Sequence, residues 1–226
     1  MTEEFDYKVY IGNLTDICNR KKIAIKELFI LSQDLSIHEV AVNPHIKFPR
    51  LLILSGVTAG ESSGSMAICR FLDKYPVEDL SKIGIDIIPI AGFSKTPEKG
   101  FDKNCNHGKL IDRHLKGKRH NLCLILKDNP IAYNFSLYYS SSSLSLLTQY
   151  VLDTASLFFP VYRATDDALR AISLEVGKDK VEEYIKKHNQ TEYISIMMPS
   201  CYSTHERISC GSKIIEDCIN HLQGNY

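Results

Sequence analysis

The hydrophobic positions of the chain fall into two patterns. Short, nearly unbroken apolar runs occur at residues 51–54 (LLIL), 83–91 (IGIDIIPIA), 122–126 (LCLIL) and 192–198 (EYISIMM). Bounded by turn residues, runs of this length predict strands buried on both faces. Residues 37–42 (IHEVAV) alternate and predict a half-buried strand, residues 133–139 (YNFSLYY) have strand composition, and residues 8–12 predict a short strand. Elsewhere the apolar positions recur at helical spacing. From Asn13, with Thr15 or Asp16 as cap, Ile17, Ile23, Ile25, Leu28, Ile30 and Leu31 form a stripe. Residues 62–74 carry Met66, Ala67, Cys69 and Phe71 before Pro76, and residues 79–82 predict one helical turn. Residues 109–120 predict a short basic helix, residues 144–158 a helix ended by Pro160, and residues 166–175 and 178–188 two helices split by Gly177. Ser203 opens a closing helix through Leu222. Strands alternating with helices predict an α/β fold, a mixed, mostly parallel sheet flanked by helices on both faces. No repeat or linker divides the chain, so residues 1–226 are expected to form one domain.

The stretch around which this pattern is organised is residues 51–64, LLILSGVTAGESSG. A buried strand runs into Ser55-Gly56, then the small-residue loop Thr58-Ala59-Gly60-Glu61, then a helix opened by Ser62-Ser63-Gly64. Open α/β sheets place ligands at the carboxyl ends of such strands, where Glu61 is the loop's lone acid. A long polar segment, residues 92–108, follows the second strand, and loops of that length are usually functional or mobile.

Composition narrows the function classes. Of 226 residues 44% are apolar, enough for a sizeable core, and 27 Lys+Arg balance 27 Asp+Glu. A neutral chain does not predict a nucleic-acid partner. No apolar run approaches the ~20 residues a membrane span needs, so no membrane association is expected. The opening MTEEFDYK lacks a basic region followed by an apolar one, so the expectation is a cytoplasmic protein, although export without a classical signal would look the same. Seven cysteines without CxxC pairs are expected to be reduced, several of them in the core.

The loop resembles that of zinc metallocarboxypeptidases and the related aspartoacylase and succinylglutamate desuccinylase enzymes. There a buried strand ends in His-x-x-Glu, and both residues bind zinc. In that frame Thr58 takes the histidine position and Glu61 the glutamate position. Ile88-Pro89-Ile90-Ala91-Gly92-Phe93 is similar to the family's next strand end. Gly108-Lys109-Leu110-Ile111-Asp112-Arg113 is similar to its Asp-Leu-Asn-Arg segment, which implies that Arg113 takes the substrate-binding arginine position and Asp112 the asparagine position. The third zinc ligand, a histidine at a strand end, falls on Leu126, and a shifted frame offers only Lys127 or Asp128. The catalytic glutamate falls on Met197, with Arg207 after it. The resemblance spans roughly residues 50–220 and implies a carboxypeptidase-like fold with its ligand set largely replaced.

Three protein ligands and an open position define a catalytic zinc of this type. Threonine ligates zinc poorly and leucine not at all. Without the metal, water keeps a pKa near that of bulk, and Met197 cannot accept a proton. The expectation is a catalytically degenerate protein, a pseudoenzyme with a binding or regulatory role, no cofactor, and a small carboxylate, a peptide or a protein as partner. The alternatives are an active metallohydrolase, with zinc held by ligands drawn from Glu61, Asp128, His107 or His114, and a partner-binding effector or scaffold. Glu61 could instead accept hydrogen bonds from its helix N-terminus, and Arg113 could pair with Glu61 or Asp128 as a buried ion pair. Cys201, His205, Glu206 and Cys210 form a second candidate cluster, in which the simpler expectation puts Cys210 in the core and His205 in water. His107, His114 and His120, near Cys105, are expected to be solvated, as is the basic run Lys109, Arg113, Lys116, Lys118, Arg119.

Overall fold

The structure, a computed structural model, describes residues 5–32, 35–56, 62–90, 113–129, 133–140, 144–161, 185 and 191–224. The first element departs from expectation. Helix α1 (Tyr7–Lys21) begins where a strand was expected: the Asp6 side chain accepts a hydrogen bond from the Val9 N–H and caps it. Tyr10, Leu14 and Cys18, four residues apart, are its buried positions. Lys22, in the left-handed region at φ 55°, ends the helix. The apolar stripe beyond it therefore continues as a strand, β1 (Ala24–Ser32), paired antiparallel with β2 (Leu35–Val42). A helix over residues 13–31 would have needed Ile23 and Ile25 on one face, yet residues two apart do not share a helix face.

The remaining strands follow the apolar runs: β3 (Arg50–Ser55), β4 (Gly84–Ile88), β5 (Leu122–Asn129), β6 (Ser136–Tyr139) and β7 (Glu192–Pro199). They form one seven-stranded sheet in the order β1-β2-β4-β3-β5-β7-β6. The four central neighbours β4, β3, β5 and β7 are parallel, while β2 and β6 run against them. This is the mixed α/β sheet that the pattern of runs predicts. Helices α2 (Ser63–Lys74), α3 (Ser145–Ser156) and α4 (Thr204–Leu222) pack with α1 on one face, in a cluster with Leu51, Ile53, Ile85, Ile87, Leu122, Leu124 and Leu126. On the other face Leu52, Leu54, Ile88, Cys123 and Ile125 are joined by Ile37, Leu115 and Ile185. Cover on both sides is the reason the central strands are continuous in apolar residues. The helices expected at 166–175 and 178–188 lie outside the described residues except for Ile185, which is helical and buried. On the first face α2 and α4 approach closely at Gly211, where an added Cβ would stand 2.8 Å from the Ala67 Cβ.

The second face also buries two carboxylates. Glu39, 2% exposed, meets His114 Nε2 at 2.5 Å, Lys118 Nζ at 2.5 Å and Lys26 Nζ at 2.9 Å. Asp86 takes a bidentate pair from Arg50, Nε at 2.7 Å and Nη2 at 2.6 Å, and lies 2.8 Å from His120 Nε2. His114, Lys118 and His120 are thus not solvated, because a buried carboxylate requires hydrogen-bonding partners and these are the groups the chain folds onto it. Burial alone raises the Glu39 carboxyl, but hydrogen bonds from His114, Lys118 and Lys26 outweigh it and hold the group down at about 2. Burial likewise raises Asp86, and His120 and Arg50 bring it well below the usual carboxylate range.

Two outcomes follow from this packing. Gly211→Ala is expected to destabilise the fold by about 1–3 kcal/mol in urea unfolding, through overpacking of α2 against α4. Both carboxylates are depressed in the folded chain, so their contribution is complete above their unfolded values near ~4 and is lost as pH falls toward their folded values. Between pH 5 and pH 3, Glu39 alone is expected to account for about 1.5 kcal/mol of lost unfolding free energy, and Glu39→Gln should flatten that slope.

Candidate functional site

The site lies at the carboxyl ends of β3, β5 and β7. β3 stops at Ser55, and Gly56, at φ +58°, turns the chain beneath Ile90, whose Cα would lie 3.1 Å from an added Cβ. Thr58 and Glu61 lie outside the described residues. The chain resumes at Ser62 and enters α2, whose start is pressed onto the sheet. A Cβ on Gly64 would stand 2.5 Å from Ser55 Oγ and 2.8 Å from the Leu126 Cβ, so only glycine admits this approach. Ser65 Oγ donates to the Pro89 carbonyl at 2.7 Å and lies 3.3 Å from Ser55 Oγ, joining the helix to the ends of β3 and β4.

Ser62 supplies no side-chain cap to α2. Asp128, from the end of β5, caps it instead: one carboxylate oxygen accepts the Ser63 N–H at 3.2 Å, and the other accepts the Ser63 hydroxyl. The positive end of the helix and the exposed N–H groups there favour a negative group. Arg207 Nη1 completes the site at 3.0 Å from Asp128 Oδ1. Arg207 stands in the first turn of α4, which begins with a capping box between Ser203 and Glu206. Its Nη2 donates to Thr204 Oγ1 at 3.3 Å, and its buried Nε has no hydrogen-bond partner among the described residues. The side chains are 12% and 5% exposed for Arg207 and Asp128, so this is a buried ion pair.

The structure separates the sequence candidates. Leu126 is fully buried on the helix-covered face, against the start of α2. Met197 is half-buried, paired in register with Lys127 and Ser136 on the opposite side of the strand from Met198. Arg113 is exposed, and Asp128 pairs with Arg207, which corrects the expected Arg113–Asp128 pair. His114 binds Glu39 on the second face, whereas Asp128 holds α2 on the first, so these two proposed ligands do not converge. Asp112, His107, Cys105 and Lys109 lie outside the described residues. Cys201 sits in the turn before α4 and His205 is exposed, so the two share no helix face. Cys210 is in the core as expected, and burial pushes its thiol up, away from nucleophilic character. Among the described residues no group of three His, Cys, Asp or Glu side chains could hold a metal ion. The described part of the family's ligand set does not fit zinc: Leu126 has no donor atom, and both Asp128 oxygens are engaged by Ser63 and Arg207. Sequence reasoning placed Arg207 and Asp128 near the site but missed their pairing. The signal was slight, a helix start whose serines leave a backbone donor for a distant acid.

The fold is that of known metallohydrolases. A protein assigned as a metallopeptidase, from Shewanella denitrificans, superposes with a TM-score of 0.80 at 15% identity, covering 96% of this chain and 90% of its own. A metallo-carboxypeptidase from Burkholderia cenocepacia gives 0.73 at 9% identity, covering 99% of this chain and 71% of its own. A succinylglutamate desuccinylase/aspartoacylase from Rhodobacter sphaeroides gives 0.57 at 11% identity, with 89% and 65% covered. These likenesses show a zinc carboxypeptidase-like α/β fold. No protein-family model matches the chain, and no curated protein matches its sequence.

Removing the guanidinium would leave Asp128 buried with Ser63 as its remaining partner among the described residues. Arg207→Leu is expected to cost about 3 kcal/mol in urea unfolding, and adding Asp128→Asn to that background should recover part of the loss.

Proposed function

We propose that the chain is a catalytically degenerate protein of carboxypeptidase-like fold, with a binding or regulatory role, that takes a small carboxylate or peptide without hydrolysing it. Leu126 carries this reading: at the position of the family's third ligand, the side chain is hydrocarbon packed under α2. Met197, at the position of the catalytic glutamate, has no basic oxygen to accept a proton. Thr58 in place of a histidine leaves Glu61 as the one zinc ligand of the family's set retained, and a single carboxylate does not hold a catalytic zinc. A metallohydrolase with ligands rearranged among Glu61, Asp128, His107 and His114 would have to break the Asp128–Arg207 pair or the Glu39–His114 contact, which lie on opposite faces of the sheet. For the ligand, Arg113 offers an exposed guanidinium, suited to a bidentate carboxylate contact.

The test joins metal analysis to binding. Purified protein, dialysed against zinc, is expected to hold well under one equivalent by mass spectrometry and to leave peptides and N-acyl amino acids intact. Calorimetry with succinate and with a free-carboxylate dipeptide is expected to show binding that weakens about tenfold in Arg113→Ala. Stoichiometric zinc, with turnover abolished by Glu61→Gln, would establish the metallohydrolase instead. Absence of binding to either probe would turn the assignment toward a protein-binding scaffold.

A further inference from the structure

Residues 113–120 (RHLKGKRH) cross the second face of the sheet, yet six of these eight residues are basic and Leu115 is the one apolar side chain. Hydrophobic burial cannot by itself hold such a segment, because one leucine offers only about 1.5–3 kcal/mol. The two ends are fastened differently. At the downstream end His120 meets Asp86, the His120 carbonyl accepts from Thr191 Oγ1 at 3.3 Å, and Asn121 exchanges hydrogen bonds with the backbone of Arg50 at 2.8 and 2.9 Å. At the upstream end Leu115 is buried, and His114 and Lys118 both converge on Glu39 Oε1 at 2.5 Å. Gly117, at φ +84°, lies between them.

We infer that residues 113–118 form a strap whose closed position is held by the Glu39 carboxylate, and that loss of this one charge opens it about the fixed residues 120–121. Among the described residues the groups facing Glu39 are Lys26 from β1 and His114 and Lys118 from the strap, with Arg50 of β3 further along the same face. Asp86 is satisfied separately by Arg50 and His120, so the downstream anchor survives when the upstream one is lost. Glu39 stays ionised through neutral and mildly acidic pH, so the strap is closed there. Opening carries Arg113 and His114 together away from Glu39 and uncovers the apolar residues beneath Leu115. The inference stands on the strap's own contacts and holds whether or not Arg113 binds a carboxylate.

Hydrogen exchange of the full-length chain at neutral pH, read by mass spectrometry, tests this. In Glu39→Gln the amides of residues 114–118 are expected to exchange at least about tenfold faster than in the parent, with peptides from β5 and α4 unchanged. Trypsin should then cut first after Arg113, Lys116 or Lys118. If Glu39→Gln does not fold, the double variant His114→Leu, Lys118→Met removes the same contacts while leaving Glu39 paired with Lys26, and the same local acceleration is expected. Unchanged exchange over 114–118 in a folded variant, or acceleration spread evenly over the chain, would overturn the inference.

Discussion

One carboxylate at the end of β5 sets the geometry of the upper edge of the sheet. Asp128 is buried, so it must be fully compensated, and its partners come from two helices that the chain reaches far apart in sequence. Ser63 brings the start of α2 and Arg207 brings the first turn of α4. With both held to one acid, α2 lies close enough to β3 and β5 that Gly64 can carry no side chain, and α4 lies close enough to α2 that Gly211 cannot easily carry one. The capping box of α4 serves the same arrangement, because it orients the turn from which Arg207 reaches inward. At this edge Asp128 and Arg207 form a buried ion pair.

The opposite face solves a similar problem with different residues. Glu39 and Asp86 stand among apolar side chains, and each is met by basic side chains from outside its own strand. Neither arrangement is a strong source of stability in itself, since desolvating both charges offsets much of their attraction. What such pairs supply is position: they fix where the segment 113–121 crosses the sheet, and therefore where Arg113 emerges.

Much of the fold was legible in the chain. The four continuous apolar runs became the four central strands, and the alternating run at 37–42 became part of β2. Ser203, read as the opening of the last helix, is its N-cap in the structure. The first thirty residues were misread, because a left-handed residue at Lys22 divides a helix from a strand and the apolar positions on its two sides were joined into one stripe. The partner expected for Asp128 was Arg113, whereas the structure gives it Arg207.

The amino-acid order by itself determined local periodicity, caps and which donor atoms residues 58, 126 and 197 carry, because each of these depends only on a residue's own chemistry and its near neighbours. The choice of partners for the buried charges was made only in three dimensions. Asp128 meets Ser63 across 65 positions and Glu39 meets Lys118 across 79. Any of several exposed cations could satisfy a buried acid, and which one does so depends on the packing of the sheet and helices, which no local pattern encodes.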